Sequence, residues 1–180
     1  MRTDGAGFPA AASGGRHRRL VLAALLVLLP PCAGAADASH CAAEEQTLFS
    51  CSTGRKTVSV CGSADLSATA GVAQYRFGRP GAVELAYPAA GSEWRGAARA
   101  GRLMFSGGGG AYLAFASARY RYIVYTAIGS GWGSKAGVVV EKNGKRLASL
   151  PCKGAPTSEL GPDLFAKFGI AEDPAGFELP

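Results

Sequence analysis

Histidine is scarce in this sequence, and long apolar runs are missing beyond its first third. The 180 residues include two histidines, and His40 is the one that follows the N-terminal 35 residues. A single histidine excludes most histidine-dependent catalytic triads and any multi-histidine metal site from that part of the chain. No stretch after residue 35 approaches the roughly 18 apolar residues of a membrane-spanning helix. We therefore expect that part of the chain not to span a membrane.

Other signs of catalysis are also few. The Ser-x-x-Lys motif is absent, although other serine–lysine chemistry stays open. Glu84 and Glu93 would form a glycosidase pair only if folding brought them together. We predict no catalytic residues, no cofactor and no metal. A hydrolase that uses carboxylates or a Ser/Lys pair is the less favoured alternative.

The N-terminal segment has the three parts of a secretion signal. A basic cluster at 16–19 precedes an apolar run at 20–29, and Ala33-Gly34-Ala35 has the pattern of a cleavage site. Ten apolar residues rise only about 15 Å as a helix, half of a bilayer core. We predict a signal peptide over residues 1–35, cleaved near Ala35/Ala36, and export to the periplasm or the medium.

The predicted mature domain, residues 36–180, has an uneven distribution of charge. Residues 55–153 contain 14 basic and 4 acidic side chains, whereas residues 154–180 contain 1 basic and 5 acidic ones. Such a basic body with an acidic tail could attract anionic partners. A solvated arginine-rich surface is the alternative reading of the same pattern.

Four cysteines remain once Cys32 leaves with the signal, and they indicate two disulfides. They are Cys41, Cys51, Cys61 and Cys152. Zinc sites usually contain closely spaced C-x₂₋₄-C pairs, which this spacing lacks. An even number of cysteines in an exported domain favours disulfides instead.

The pairing follows from the strand pattern around the first three cysteines. Segments 46–51 and 56–61 read as a hairpin in which Cys51 lies opposite Lys56. Cys51 then shares the apolar face with Phe49, and Cys61 faces the segment that contains Cys41. We predict the pairs Cys41–Cys61 and Cys51–Cys152. A one-residue shift of register would reverse the faces.

Short alternating segments separated by turns predict a mainly β fold, an antiparallel barrel or sandwich of about eight strands. Asn143-Gly144 suits a type I′ turn and would set Glu141 opposite Arg146. Residues 88–101 and the glycine run 107–110 read as a loop and a turn. A short helix is predicted over 162–168, with Ser158 as its cap and Gly169 at its end. The predicted strands are 46–51, 56–61, 72–77, 82–87, 102–106, 111–116, 119–128, 138–142 and 145–150.

Two groups of residues are candidates for partner binding. Trp132 and Lys135 lie in a glycine-rich loop between two predicted strands, where they would be presented to a partner. Packing of Trp132 onto the core is an equal alternative. Arg119, Tyr120 and Arg121 form an arginine–tyrosine strand, a pattern that stacks on sugars or single-stranded nucleic acid. Export argues against nucleic acid, and packing between strands is the favoured alternative.

Two resemblances are carried by short motifs. The stretches 41–51, 75–81 and 173–177 resemble a group of small exported bacterial proteins without an assigned activity. Phe49-Ser50-Cys51, Val58-Ser59-Val60 and Ser117-Ala118-Arg119-Tyr120 are more weakly similar to the periplasmic c-type lysozyme inhibitors, which are small disulfide-bonded β-barrels. That similarity implies an inhibitor of a cell-wall hydrolase.

Taken with the scarcity of catalytic groups, the sequence favours an exported non-catalytic binding or envelope protein. The expected partner is an unknown protein or a cell-envelope glycan. Inhibition of a hydrolase such as lysozyme is the first alternative.

Overall fold

Alternating apolar side chains and glycine-rich turns produce two antiparallel β-sheets in the computed structural model, which describes Gly7 and residues 39–180. The signal-peptide prediction for residues 1–35, including Cys32, falls outside the described residues except at Gly7. The described elements, in chain order, are β1 Gln46–Ser52, β2 Thr57–Gly62, β3 Ala73–Arg79, β4 Ala82–Tyr87, α1 Trp94–Ala97, β5 Ala98–Phe105, β6 Gly108–Ala116, β7 Tyr120–Gly129, β8 Gly133–Lys142, β9 Lys145–Pro151, β10 Thr157–Ser158 and α2 Pro162–Lys167.

The strands form two five-stranded sheets. Sheet A has the order β10-β1-β2-β3-β4, and sheet B has the order β5-β6-β7-β8-β9. Every pairing between strands is antiparallel, and nearly all join neighbours along the chain. The predicted mainly β fold is confirmed, with a sandwich rather than a closed barrel.

The main core consists of the inward side chains of both sheets. Phe49, Val58 and Val60 of sheet A and Leu113 and Val124 of sheet B belong to one cluster and are fully buried. Side chains alternate along a strand, so these positions mark the inner face of each sheet. Sheet B also has an apolar outer face, where a second cluster forms. Its buried members are Leu103, Tyr112, Ala114, Ile123, Tyr125, Ala127 and Val139.

Both predicted disulfides are confirmed. Cys41 joins Cys61, and Cys51 joins Cys152 across 101 positions of sequence. The first ties the segment before β1 to β2. The second connects the end of β1 in sheet A with the residue that follows β9 in sheet B.

The register predicted for the first hairpin was wrong by two residues. Cys51 lies opposite Val58 rather than Lys56, and Phe49 lies opposite Val60. Because strand side chains repeat every two residues, a two-residue shift keeps each side chain on its predicted face. That is why the disulfide pairing survived the error. Thr47 lies opposite Cys61 because an irregularity interrupts the pairing between Thr47 and Phe49.

The predicted loop over 88–101 and the glycine turn over 107–110 were also wrong in part. Helix α1 and the first half of β5 occupy residues 94–101, and Gly108, Gly109 and Gly110 are strand residues in β6. Glycine is required at these positions because the backbone of the neighbouring strands leaves no room for a β-carbon. A β-carbon at Gly110 or Gly108 would collide with carbonyl oxygens of β7. Packing between strands, rather than local propensity, therefore decides this region.

The Asn-Gly hairpin is confirmed, and the C-terminal helix is confirmed apart from its cap. Asn143 has φ 51° and Gly144 has φ 72°, as a type I′ turn requires, and Glu141 lies opposite Arg146. Helix α2 starts after Gly161, which makes no side-chain cap, while Ser158 belongs to β10. The N–H of Leu160 donates to the Ser158 hydroxyl instead.

Candidate binding surfaces

A row of side chains at one end of sheet B exposes two large apolar groups. Met104 lies opposite Gly109, Gly109 opposite Ile128, and Ile128 opposite Ser134. Directly opposed residues point to the same face of a sheet, so these four form one row, here called the tip row. Met104 is 83% exposed and Ile128 is 64% exposed. The main core therefore ends before this row.

The tip row borders a groove in the described part of the chain. This open groove has a volume of about 780 Å³. Gly109, Ile128 and Ser134 of the tip row line it together with Ala155 and Pro156, from the segment between β9 and β10. Its other lining residues are Gly110, Tyr125, Thr126, Ala127, Lys135, Ala136, Ser149, Pro151, Cys152, Gly154 and Pro180.

The chemistry of the groove is apolar with one charged group. Lys135 is the charged side chain among its lining residues, and the others are small, apolar or hydroxyl-bearing. Binding sites commonly combine such an apolar surface with a few polar groups that orient the ligand. The groove can therefore hold an apolar segment and direct an anionic or carbonyl oxygen toward the Lys135 ammonium.

Trp132 combines features of both sequence interpretations. The centre of its ring lies 5.5 Å from the centre of the Phe105 ring. Phe105 in turn packs against the outer cluster of sheet B. The Lys135 ammonium lies 5.1 Å from the centre of the same ring. The indole still has 39% of its surface exposed. Trp132 thus packs on its neighbours and stays partly exposed.

The second predicted group lies at the opposite end of β7. This strand has 10 residues, which corresponds to about 30 Å, so Arg119 and Trp132 cannot form one compact site. Arg119 is exposed in a tight turn, where the N–H of Ser117 donates to the carbonyl of Tyr120 at 2.8 Å. The Tyr120 ring stacks on that of Tyr122.

The Arg121 side chain forms ion pairs and a hydrogen bond with other residues of this protein. Its guanidinium donates to Glu141 at 2.7 Å, to Asp173 at 2.5 Å and to the carbonyl of Gly176 at 3.2 Å. The side chain is 21% exposed and that of Asp173 only 4%. Arg121 therefore joins the C-terminal segment to sheet B. The tyrosines near it mostly pack the two sheets together, since Tyr75 stacks on Tyr122 with ring centres 5.1 Å apart.

The residues after α2 cross the outer face of sheet B, and we call residues 171–180 the C-terminal strap. Sequence reasoning missed this contact and saw only an acidic tail beside a basic body. Phe177 packs on Tyr112 at 5.2 Å and on Tyr125 at 5.5 Å between ring centres. Burial, and then the negative charge of Asp173, raises the pKa of Tyr112 to about 12. The charge asymmetry and the isolated Phe177 were the signals that could have revealed the strap.

Glu84 and Glu93, considered above as a glycosidase pair, each have a structural partner. Glu84 accepts from Lys56 at 2.6 Å, which lowers the pKa of its carboxyl, and Glu93 caps α1 through the N–H of Arg95. Among the described residues, one cluster has metal-ligand atoms close together, namely Cys41, Glu45 and Cys61. Both sulfurs there form a disulfide, so this cluster does not offer thiolate ligands.

Within the described part of the chain, neither helix has the length and apolar character needed to cross a bilayer. The two disulfides are typical of proteins that work in an oxidising compartment. The chain matches no protein-family model, and no curated protein or solved structure shows significant similarity to it.

Proposed function

We propose that this chain is an exported, non-catalytic binding protein, periplasmic or secreted, that contacts its partner through the tip row and the adjoining groove. The partner is a protein or a glycan of the cell envelope. The signal-like N-terminus supports export, and the disulfides fit that destination.

The observation that carries this proposal is the exposure of Met104 and Ile128 beside one groove. Leaving large apolar side chains in water forgoes roughly 1.5–3 kcal/mol for each, compared with burying them. Isolated exposed apolar residues are common, but two in one row next to a concave surface indicate an interaction site. Lys135 adds an orienting charge at the same groove.

A capture experiment with matched variants tests this function. Oxidised protein is immobilised and exposed to periplasmic and cell-wall fractions, and to soluble cell-wall glycan fragments. We expect one defined protein or glycan to be retained by the wild type and lost by Met104→Ser/Ile128→Ser. Val83→Ser/Leu147→Ser is the control, because those side chains are 47% and 62% exposed elsewhere. Equal retention by both double variants would contradict the proposal.

Inhibition of a cell-wall hydrolase is a second candidate function, favoured by the turn at Ser117–Tyr120. The turn is closed by the Ser117 hydroxyl, which accepts from the N–H of Tyr120 at 3.1 Å, and it leaves Arg119 exposed. Glycoside hydrolases use a pair of carboxylates, to which an arginine on a rigid turn can bind. We expect lysozyme inhibition by the wild type and its loss in Arg119→Ala. No inhibition at physiological salt removes this candidate.

A further inference from the structure

The C-terminal strap contacts all five strands of sheet B. It pairs with β5 through Ala100 and packs on β6 through Tyr112. Arg121 of β7 binds Asp173, and Lys135 of β8 donates to the carbonyl oxygen of Pro180 at 3.3 Å. Finally, Arg146 of β9 donates to the carbonyl of Glu178 at 2.9 Å. A single ten-residue segment thus covers a basic and aromatic face.

The strap is anchored firmly at its start and weakly beyond it. The N–H of Ala100 donates to Ala171, and the N–H of Asp173 donates to Ala100. In the described part of the chain, residues 174–180 make no backbone-to-backbone hydrogen bond to sheet B. Phe177 and side-chain hydrogen bonds hold this second half in place, so it can separate while the first half stays paired.

The positive side chains of the face beneath the strap are not all paired with carboxylate side chains. Arg121 is paired with carboxylates, whereas Arg146 donates to the neutral main-chain carbonyl of Glu178 and Lys135 donates to an oxygen of Pro180. Both side chains belong to exposed residues. A carboxylate attracts a cation through a full negative charge, which a neutral carbonyl does not have. A segment with a carboxylate at the position of the Glu178 carbonyl would therefore bind Arg146 better than the strap does.

The aromatic part of the face has a specific shape. The Tyr112 ring lies directly over Gly101, where a β-carbon would come within 2.5 Å of the ring. Tyr112 and Tyr125 are thereby held as neighbours on which Phe177 rests with both rings tilted. An aromatic side chain from another polypeptide fits the same position, since tilted aromatic pairs are favourable at these distances.

We propose that the C-terminal strap is a displaceable internal ligand, and that the face beneath it binds an acidic polypeptide segment of a partner protein. In that segment, a carboxylate pairs with Arg121 and an aromatic side chain rests on Tyr112 and Tyr125. A further carboxylate binds Arg146. This second surface lies on the outer face of sheet B and shares Tyr125, Lys135 and Pro180 with the groove beside the tip row, whereas Tyr112, Arg121 and Arg146 lie outside that groove. The inference rests on the contacts of the strap and not on the proposed function.

A labelled peptide with the sequence of residues 172–180, Glu-Asp-Pro-Ala-Gly-Phe-Glu-Leu-Pro, is the probe for this surface. Binding is measured by fluorescence anisotropy on the full oxidised chain. We expect Asp173→Asn/Phe177→Ala and the single variant Phe177→Ala to bind the peptide at least tenfold more tightly than the wild type. Adding Arg121→Gln should abolish that binding, and so should replacing the peptide's phenylalanine by alanine.

Glu178→Gln is the matched control, because it changes a strap carboxylate outside the ion pair with Arg121. It should bind the peptide as weakly as the wild type does. If both strap variants keep the wild-type circular dichroism spectrum and bind the peptide no better, the proposal is wrong. Concentration-dependent dimers that the peptide dissociates would overturn it too, since the occupant would then be the strap of a second copy.

Discussion

Arg121 in β7 and Asp173 in the strap are 52 positions apart in sequence, yet their side chains meet at 2.5 Å. Glu141 of β8 binds the same guanidinium at 2.7 Å. One arginine therefore joins two strands of sheet B to the segment that covers them. Because the Asp173 side chain is only 4% exposed, water cannot easily replace this contact.

Asp173→Asn should destabilise the fold by about 1–2 kcal/mol. Hydrogen bonds to charged groups contribute about 1.5–3 kcal/mol, and here Arg121 keeps Glu141 as a partner. Urea denaturation measures the change. Glu84→Gln is the control, since the ion pair of Glu84 with Lys56 is exposed and such pairs contribute little. An equal effect of both substitutions would argue against a structural role for the strap.

The two disulfides should differ in their contribution to stability. The chain-entropy relation gives about 4.7 kcal/mol for Cys51–Cys152, which spans 101 positions, and about 3.3 kcal/mol for Cys41–Cys61, which spans 20. Replacing each pair by serines and measuring the free energy of unfolding tests this order. If replacing Cys41–Cys61 lowers the free energy of unfolding more than replacing Cys51–Cys152 does, effects in the native state outweigh the entropy of loop closure.

Gly101→Ala should destabilise the protein by about 1–3 kcal/mol, the usual cost of overpacking a core. The new methyl group would lie 2.5 Å from the Tyr112 ring, which has to leave its position under Phe177. Gly96→Ala is the matched control, as its nearest neighbour is 3.9 Å away and alanine suits a helix. Thermal unfolding of both variants separates the effects; equal melting temperatures would refute this packing argument.

Acid should weaken the fold through Glu45. Its hydrogen bond and ion pair with Arg76 lower the pKa of its carboxyl below 4.5, so the unfolded state binds the proton first as the pH falls. The stabilisation is complete above about pH 4.5 and is lost as the pH falls through the lower folded pKa. Glu45→Gln should therefore differ most from the wild type at pH 7 and least at pH 2. A pH-independent difference would contradict this assignment.

Local chemistry accounts for the parts of the fold that sequence reasoning predicted. Asn143 and Gly144 form the type I′ turn because both residues adopt a positive φ. The alternation of side chains between the two faces of a strand was enough to predict how the four cysteines pair. Residues 98–101 of β5 were missed because alanine, glycine and arginine give a weak strand signal. Their strand forms by pairing with β6, where Gly101 lies opposite Tyr112.

The candidate surfaces were harder to predict than the strands. Trp132 and Lys135 stood out because the sequence predicted both in a glycine-rich loop, although Lys135 belongs to β8. Exposure of Met104 and Ile128 depends on how far sheet B extends beyond the core, which no short segment encodes. The ion pair between Arg121 and Asp173 required a contact between positions far apart in sequence, so Arg121 was grouped with Arg119 instead.

Site-specific photo-crosslinking tests the binding role of the tip row most directly. A photoreactive phenylalanine analogue replaces Ile128, or Leu147 as the control, and the protein is irradiated in cells that export it. These two side chains are 64% and 62% exposed, so accessibility alone does not distinguish them. We predict one discrete adduct from position 128 and none from position 147. Identical adducts from both positions, or none from position 128, would contradict a binding surface at the tip row.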